Sequence, residues 1–477
     1  MAEVRKLGAN DLQIGEGTVV SPGGKTVQEI DARHIPVAYG TANDAVTDYS
    51  NIVFSVEDAL KIGVNVKAYG VTGNGTTDDA AAIQAAIDAL PTTGGTLFFN
   101  SGIYLCASGL NLDDKRSIIL RGTSGMTSGA KPSSYLIFSG TGSGRLLSFR
   151  STSGCAIEDL GIYHTSSSFT GKLIDLSHSA VASDTAFFKL SRCFVGGDGF
   201  TGTAIGINLD QSLESTIDNC HFSYLLRGID GQDPGGGSYS NVVRIRDNQF
   251  TNIVSNAIAW GGEAWLIEGN TFEPLSNGTA GAFGNDTSTQ CKGISFINNW
   301  CGDVTTGGGT WFGVWGEGVN FTGNRIGGNS TSNAISLNTV NGYSIVGNSF
   351  DTFSVAIDYT TATCTNGYVQ GNRFTSVTNQ FGTTTNQNDF LQATDGYVTL
   401  PSNIIYQWGD ETVYSSATKA VTFPKAFTSA VYTITTGNIN PSESGSYFVL
   451  TSPTITGFNA VLVSATNAGL NWMAIGK

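Results

Sequence analysis

Charged residues are scarce in this sequence, making up 13% of its 477 positions. Lysine and arginine together number 24, against 38 aspartates and glutamates, which leaves a net charge of −14. No cluster of basic residues is dense enough to neutralise a row of phosphates, so we expect no nucleic-acid partner. The same acidity disfavours a densely anionic ligand and weakly favours a neutral or lightly charged one.

Long apolar segments are also missing. No apolar run reaches the length of about 18 residues that a membrane-spanning helix needs. The N-terminus "MAEVRKLGANDLQIG" has no apolar core of the kind a signal peptide requires. We therefore expect a chain made in a cytoplasm, with no membrane insertion.

Metal-binding and disulfide patterns are absent as well. The odd number of cysteines shows neither a CxxC pair nor Cys/His metal spacing. We predict free, mostly buried thiols, no metal site and no cofactor. The seven cysteines are Cys106, Cys155, Cys193, Cys220, Cys291, Cys301 and Cys364.

Glycine, in contrast, is abundant at 62 residues, while proline is limited to 10. Such a composition favours many short strands joined by tight turns. An internal repeat supports this: "VRIRDNQF", "WLIEGNTF", "GISFINNW", "VNFTGNRI", "YSIVGNSF" and "GYVQGNRF" each place an asparagine two residues before a large apolar anchor. The anchors are Phe250, Phe272, Trp300, Ile326, Phe350 and Phe374, and the asparagines are Asn248, Asn270, Asn298, Asn324, Asn348 and Asn372.

Two looser copies of the repeat end at Phe194 and Phe222. Apolar residues alternate within each unit, so the units contain strands, and units that cannot bury their own apolar face stack into a solenoid. We predict a parallel β-helix in which the asparagines form an internal amide ladder, with a structural role.

One amphipathic helix is predicted before the first strands. Thr76 and Asp79 have the spacing of a capping box variant, and Ile83, Ile87 and Leu90 fall on one face. A helix at this place is suited to cover the open end of the solenoid, which is otherwise an exposed sheet edge.

The stretch "VNVKAYGVTGNGTTDDAAAIQAAIDAL…GGTLFFNSGIYL", residues 64–105, resembles the opening of the pectate-lyase-like β-helix of bacteriophage tailspikes. A second stretch, "IIYQWGDETV…VTFPKAF" with the terminal "GFNAVLVSATNAGLNWMAIGK", resembles the C-terminal β-sandwich of phage tail fibres. The resemblances imply an all-β chain: a right-handed parallel β-helix with an N-terminal capping helix, followed by a β-sandwich. The expected segments are an attachment segment and neck at 1–60, the β-helix at 61–390 and a trimerisation or receptor-binding sandwich at 395–477.

These resemblances also imply a function. Their members are typically homotrimers of the virion tail that act at the host cell surface and bind and cleave bacterial polysaccharide, either capsule or O-antigen. The N-terminus is expected to attach to a tail or baseplate protein. No catalytic residue is carried over by motif, because family members place these residues differently.

Catalytic candidates come from a repeated Trp-Gly-Glu pattern. Glu263 and Glu317 each lie nine residues before an anchor, so they are expected at equivalent corners two coils apart, a distance of about 10 Å. Glycosidic hydrolysis uses two carboxyl groups, and we predict these two as an acid/base pair, with Asp286 as third candidate. Trp260, Trp265, Trp311 and Trp315 are predicted as sugar-binding walls.

Three alternatives remain open at this stage. Polar residues at a coil corner commonly serve only to face water, and Asn241 and Asn341 take the same place in other units. A lyase needs a base and positive charge to neutralise a uronate, and the sequence shows no evident basic cluster around its four histidines. A non-catalytic adhesin would use the same tryptophans only to bind.

Overall fold

The computed structural model describes residues 63–477 except 92, 125–132, 178–184, 198, 200–201, 232–239, 274–282, 285–290, 303–308, 360–363, 383–389, 392–394, 401–403, 415–417, 440–446 and 464–466. Of the first 62 residues it describes three strands, Ile14–Gly15, Thr18–Val20 and Thr26–Val27, paired in an antiparallel sheet. The rest of the predicted segment 1–60 lies outside the described residues. The fold is all-β, as predicted: a parallel β-helix and then an antiparallel sandwich.

The chain divides into two compact units, Met1–Trp265 with Gly269–Ser276, and Leu266–Glu268 with Asn277–Lys477. In the first unit, the coils form three parallel ladders. Ladder A contains Leu110–Asn111, Arg145–Ser148, Lys172–Asp175, Ile205–Asn208, Arg227–Asp230 and Ile258–Ala259. Ladder B contains Gly63–Asn65, Gly95–Phe98, Ile118–Arg121, Ala156–Glu158, Lys189–Ser191, Thr216–Asp218 and Arg244–Arg246. Ladder C contains Asn74–Asp78, Gly102–Cys106, Ser134–Phe138, Gly161–His164, Phe194–Gly197, His221–Ser223, Gln249–Thr251 and Thr271–Phe272.

The second unit also contains coils with this strand order. Two long strands, Thr310–Thr322 and Asn333–Val346, run through a corner and supply both an A-type and a B-type segment. The remaining strands of its coils are Leu266–Glu268, Phe283–Gly284, Cys291–Lys292, Ser295–Ile297, Trp300–Cys301, Arg325–Gly327, Ser349–Asp351, Val355–Tyr359, Tyr368–Gln370, Arg373–Thr375 and Asn379–Phe381.

The sandwich at the C-terminal end has two antiparallel sheets. One contains Phe390–Leu391, Gly396–Leu400, Ile404–Tyr414, Asn467–Gly476 and Val431–Ile439, in that order. The other contains Thr418–Thr422, Gly457–Val463 and Tyr447–Thr454. Between them Phe423 packs against Phe427, Phe458 and Trp472 with ring centroids 5.0, 5.8 and 5.5 Å apart, so this part of the chain has its own apolar core.

The solenoid interior is built from columns of like residues. Leu120, Ile157, Leu190, Ile217 and Ile245 pair in successive coils and are fully buried. The rings of Phe222, Phe250 and Phe272 stack with centroids 4.9 and 4.7 Å apart. Each coil therefore buries its apolar face only against its neighbours, which is the property of a solenoid.

The amide ladder is confirmed, with one corrected member. Asn248 donates to Asn270 at 3.0 Å in the first unit. In the second unit the ladder begins at Asn299, and the prediction of Asn298 is wrong. Asn298 itself forms the left-handed corner with φ 52°, the place that Gly323 takes one coil later with φ 68°.

Two anchor predictions are wrong for the same reason, a shift of one residue. Cys301, rather than Trp300, pairs with Ile326, and Val195, rather than Phe194, pairs with Phe222. Trp300 is 42% exposed, and its ring lies 4.6 Å from the guanidinium carbon of Arg325. Phe194 stacks on Tyr163 on the other side of the strand. Small residues take the interior place in both coils.

The described helices are a short 3₁₀ helix, Val66–Tyr69, and an α-helix, Ala80–Asp88. Ile83 and Ile87 are fully buried, as predicted. The Gln84 side chain accepts from the backbone N–H of Asn111 at 2.8 Å and donates to its carbonyl at 3.0 Å. The helix thus covers the edge of the first strand of ladder A.

The capping box prediction is wrong. Asp79 makes no side-chain cap to the helix. Its carboxylate instead accepts from the backbone N–H of Thr72 and Gly73, at 2.8 and 2.9 Å. All seven cysteines are free and buried, in agreement with the sequence.

Candidate functional site

The two predicted glutamates both lie at coil corners. Glu263 pairs with Asn241 in the preceding coil of the first unit and is half-buried. In the second unit Glu317 pairs with Asn341 and with Lys292, whose Nζ is 3.8 Å from Glu317 Oε1. Glu317 is 53% exposed at its side chain. Each glutamate therefore has the predicted corner position, while their action as a pair stays a prediction, and Asp286 lies outside the described residues.

Three of the four predicted sugar-stacking tryptophans are buried. Trp260 and Trp265 belong to the interior of the first unit, and Trp311 is 3% exposed in the second. A buried ring has no face for a sugar, so the structure contradicts this role for these three. These three rings fill the interior of their coils instead.

Trp315 differs from the other three. It is half-buried, and a Cβ added at Gly313 would lie 3.1 Å from its Cζ3, so its ring folds over Gly313. Gly313 pairs with Ser336, which pairs with Asp358 in the next coil. Burial raises the pKa of the Asp358 carboxyl above its ordinary value, and Asn333 donates to it at 3.2 Å. An aromatic face beside hydroxyl, amide and carboxyl groups suits a sugar subsite.

A carboxylate column lies along ladder A of the first unit. Ser148, Asp175, Asn208 and Asp230 pair in successive coils. Asp175 has no exposed side-chain surface, and Asn208 Nδ2 donates a hydrogen bond to its Oδ1 at 2.9 Å. Two strand spacings separate the backbones of Asp175 and Asp230, a distance of about 10 Å. Carboxyl groups are thus repeated along one line of the solenoid.

Basic side chains accompany this column. Arg145 and Lys172 pair in register and lie 3.1 and 3.5 Å from the two oxygens of Asp175. Arg227 donates to Asp230 Oδ2 at 2.7 Å. The three basic side chains are 39, 33 and 32% exposed, so they lie between the carboxylates and solvent.

Electrostatics hold Asp175 in its charged form. Burial alone raises the pKa of this carboxyl, but Lys172, the side chains of Asn208 and Ser177, and Arg145 together outweigh burial. Its pKa therefore lies below the ordinary value. A buried carboxylate that stays ionised beside basic residues is a common feature of catalytic and ligand-binding sites.

The column as a unit was not predicted from the sequence, in which Asp230 is only a lower-ranked candidate within the glycine-rich stretch "GIDGQDPGGG". Its members stand in "KLID", "IGIN" and "RGID", where strand residues of mixed character give no repeat as clear as the asparagines. The signal that was present is the recurrence of a polar residue after an isoleucine, at Asp175, Asn208 and Asp230. The basic residues are distant in sequence and become neighbours only through strand register.

Two general findings bear on the site. Among the described residues, no helix is long or apolar enough to cross a membrane. Within the same residues, no group of three or more histidine, cysteine, aspartate or glutamate side chains is placed to hold a metal ion.

Comparison with known proteins supports both resemblances found in the sequence. Residues 63–299 match the sequence family described as rhamnogalacturonase A/epimerase, pectate lyase-like. Residues 399–477 match the family described as putative tail fiber protein gp53-like, C-terminal. No curated protein matches the chain.

Solved structures share the fold at low identity. The Dettilon tailspike protein aligns with a TM-score of 0.54 and 13% identity, covering 88% of this chain and 95% of the tailspike. The A-module of the Azotobacter vinelandii mannuronan C-5 epimerase aligns with a TM-score of 0.50 and 16% identity, covering 68% of this chain and 96% of the module. The predicted tailspike-like architecture is thereby confirmed, since likeness at this identity concerns the fold.

Proposed function

We propose that this chain is a phage tail protein that binds a bacterial surface polysaccharide, capsule or O-antigen, and cleaves it by glycosidic hydrolysis. The observation that carries the proposal is the pairing of Asp175, Asn208 and Asp230 in successive strands of one solenoid face. The match to a tail-fibre C-terminal family and the tailspike-like fold support the place of action in the virion tail.

Hydrolysis is favoured by the spacing of the two carboxyl groups. Inverting glycosidases hold their carboxyl groups about 6.5–9.5 Å apart, to leave room for a water molecule. Two strand spacings of about 4.8 Å give Asp175 and Asp230 a comparable separation. In the proposed reaction Arg145 and Lys172, which cover Asp175, move aside to admit the substrate, and the ionised Asp175 accepts a proton from the attacking water. Asp230, which must carry a proton in the reacting form, donates it to the leaving oxygen.

Elimination is the second candidate, and one observation favours it. Arg145, Lys172 and Arg227 face the same column, and positive charge of this kind neutralises a uronate carboxylate when a lyase removes the adjacent proton. The sequence alone showed no such cluster. A fibre that binds without cleaving is the third candidate.

One digestion experiment separates the three. Purified protein is incubated with capsule and O-antigen from candidate hosts, and products are followed by mass spectrometry. Fragments one water heavier than the repeat support hydrolysis. Unsaturated fragments support elimination and refute hydrolysis. Binding without any fragment would refute the enzymatic proposal and leave an adhesin.

Variants then locate the site. Asp230→Asn is expected to abolish product formation while the protein stays folded. Glu263→Gln, Glu317→Gln and Asp286→Asn test the site predicted from the sequence under the same conditions. If Asp230→Asn keeps full activity and a glutamate variant loses its activity, the catalytic site lies at the coil corners and not at the carboxylate column.

A further inference from the structure

The C-terminal sandwich contains a groove of about 600 Å³ on its five-stranded sheet. Strand register builds it. One row of paired residues contains Trp408, Met473 and Thr435, on three adjacent strands. Two residues further along the strands, a second row contains Asp410, Asn471 and Gly437. Because side chains alternate along a strand, these six residues share one face of three adjacent strands.

An aromatic and a sulfur side chain form the apolar part of the groove. Trp408 is half-buried, and its ring centroid lies 6.5 Å from that of Tyr406. The Tyr406 hydroxyl donates to Met473 Sδ at 2.8 Å, which fixes the methionine beside the indole. The apolar surface therefore has a defined shape.

Gly437 supplies the depth of the groove. A Cβ added at Gly437 would have one neighbour within 4 Å, the Cβ of Asn471 at 3.9 Å. The space beside Asn471 is therefore open, because a glycine stands where any other residue would project a side chain. This open space also permits a substitution that fills the groove without a backbone clash.

Polar groups stand at the other end of the same face. Asp410 and Asn471 are exposed, and within the described part of the chain neither side chain takes part in a hydrogen bond or ion pair. The backbone N–H of Asp410 donates to Asp395 Oδ1 at 2.9 Å, which holds the strand backbone at this position. Carboxylate oxygens accept from hydroxyl groups, and an amide both donates and accepts.

We propose that this groove binds a neutral saccharide, with the ring against Trp408 and hydroxyl groups on Asp410 and Asn471. Its volume is within the range of about 300–1,000 Å³ usual for small-ligand sites. The Asp410 carboxylate, with no basic residue in the lining, disfavours an acidic sugar. This second glycan site is formed by other residues than those of the carboxylate column and does not depend on cleavage there.

Saturation-transfer NMR on the full chain tests the proposal, with the methyl glycosides of glucose, galactose, mannose and N-acetylglucosamine as probes and glucuronic acid as the acidic comparison. A neutral glycoside is expected to receive saturation. Trp408→Ala and Gly437→Val are each expected to weaken that binding at least about tenfold, which corresponds to 1.4 kcal/mol. Tyr432→Ala is the matched control, because it removes a 59% exposed aromatic side chain from the same edge strand outside the groove.

Gly437→Val is the sharper variant, because it adds volume and removes no contact. Binding that survives it, saturation of none of the neutral glycosides, or preference for glucuronic acid would overturn the proposal. So would a change in oligomeric state on Gly437→Val, which would assign the face to a second copy of the chain. Polysaccharide cleavage is expected to be unchanged in these variants, and groove binding unchanged in Asp230→Asn, so the two proposals fail separately.

Discussion

Asn324 Oδ1 accepts two hydrogen bonds from Asn299, one from the backbone N–H at 2.8 Å and one from Nδ2 at 3.1 Å. Asn324 Nδ2 in turn donates to Asn348 Oδ1 at 2.8 Å. Every coil joined by the ladder thus satisfies a buried amide of its neighbour. The consequence is that one asparagine supports the coils on both sides.

Asn324→Ala is therefore expected to lower the free energy of unfolding by about 2–3 kcal/mol, because it leaves buried groups of both neighbours unpaired. Urea unfolding followed by circular dichroism measures the change. Asn341→Ala is the control, since Asn341 is an exposed corner residue. An equal loss in the two variants would contradict a special role for the ladder.

The ladder also shows how far the repeat could be followed from the sequence. The spacing of asparagine and anchor identified the coil corner and gave the solenoid and most of its interior residues. It failed at "FINNW", where two adjacent asparagines fit equally and the larger Trp300 was preferred to Cys301 as the anchor. Volume alone does not decide register, because the smaller Cys301 takes the interior position while the larger Trp300 is 42% exposed.

The candidate site was harder to predict for a physical reason. Glu263 and Glu317 were correctly assigned to coil corners, because corners follow directly from the repeat. The burial of Trp260 and Trp265 could not be predicted from their closeness to Glu263 in the sequence. Residues close together at a corner can lie on opposite sides of the coil, one in the interior and one at the surface. The column of Asp175 and Asp230 depends on strand pairing, which the sequence does not show without the exact coil lengths.

Asp175 gives a prediction about pH. Its pKa in the folded protein is lowered, so its contribution to stability is complete above the unfolded pKa of about 3.9 and is lost as pH falls through the folded pKa. Asp175→Asn is expected to be less stable than wild type at neutral pH, with the difference shrinking below about pH 4. Urea unfolding at several pH values measures this. A difference that grows toward acid would contradict the prediction.

The tryptophans are expected to separate into two classes. Trp260→Ala removes a fully buried ring and is expected to cost about 3–5 kcal/mol of unfolding free energy. Trp315→Ala is expected to keep the protein folded and to weaken polysaccharide binding, because its ring is half-buried over Gly313. Thermal unfolding and a binding isotherm distinguish the two. Unchanged affinity in Trp315→Ala would remove the last predicted tryptophan from the site.

Gln84 connects the capping helix to the first strand of ladder A. Its two hydrogen bonds to Asn111 satisfy backbone groups at the sheet edge. Gln84→Ala is expected to lower the free energy of unfolding by about 1–2 kcal/mol and to increase aggregation, because a free strand edge can pair with another chain. Light scattering at rising concentration measures the second effect. Gln84→Glu, which keeps the acceptor for the Asn111 N–H, is expected to fall between Gln84→Ala and wild type.

Glu317 and Asp230 allow the two candidate sites to be compared once circular dichroism shows that Asp230→Asn is folded, because the Asp230 side chain is buried and paired with Arg227. The pair of Glu317 with Lys292 is more than half exposed on both sides, and pairs of this kind contribute about 0–1 kcal/mol. Glu317→Gln is therefore expected to fold normally, so any loss of turnover in it reports on chemistry rather than on folding. If the carboxylate column carries the reaction, product formation falls at least about a hundredfold in Asp230→Asn, the size expected when an acid or base is removed, and stays near wild type in Glu317→Gln. The reverse pattern would place the reaction at the corner glutamates and leave the column as a binding surface.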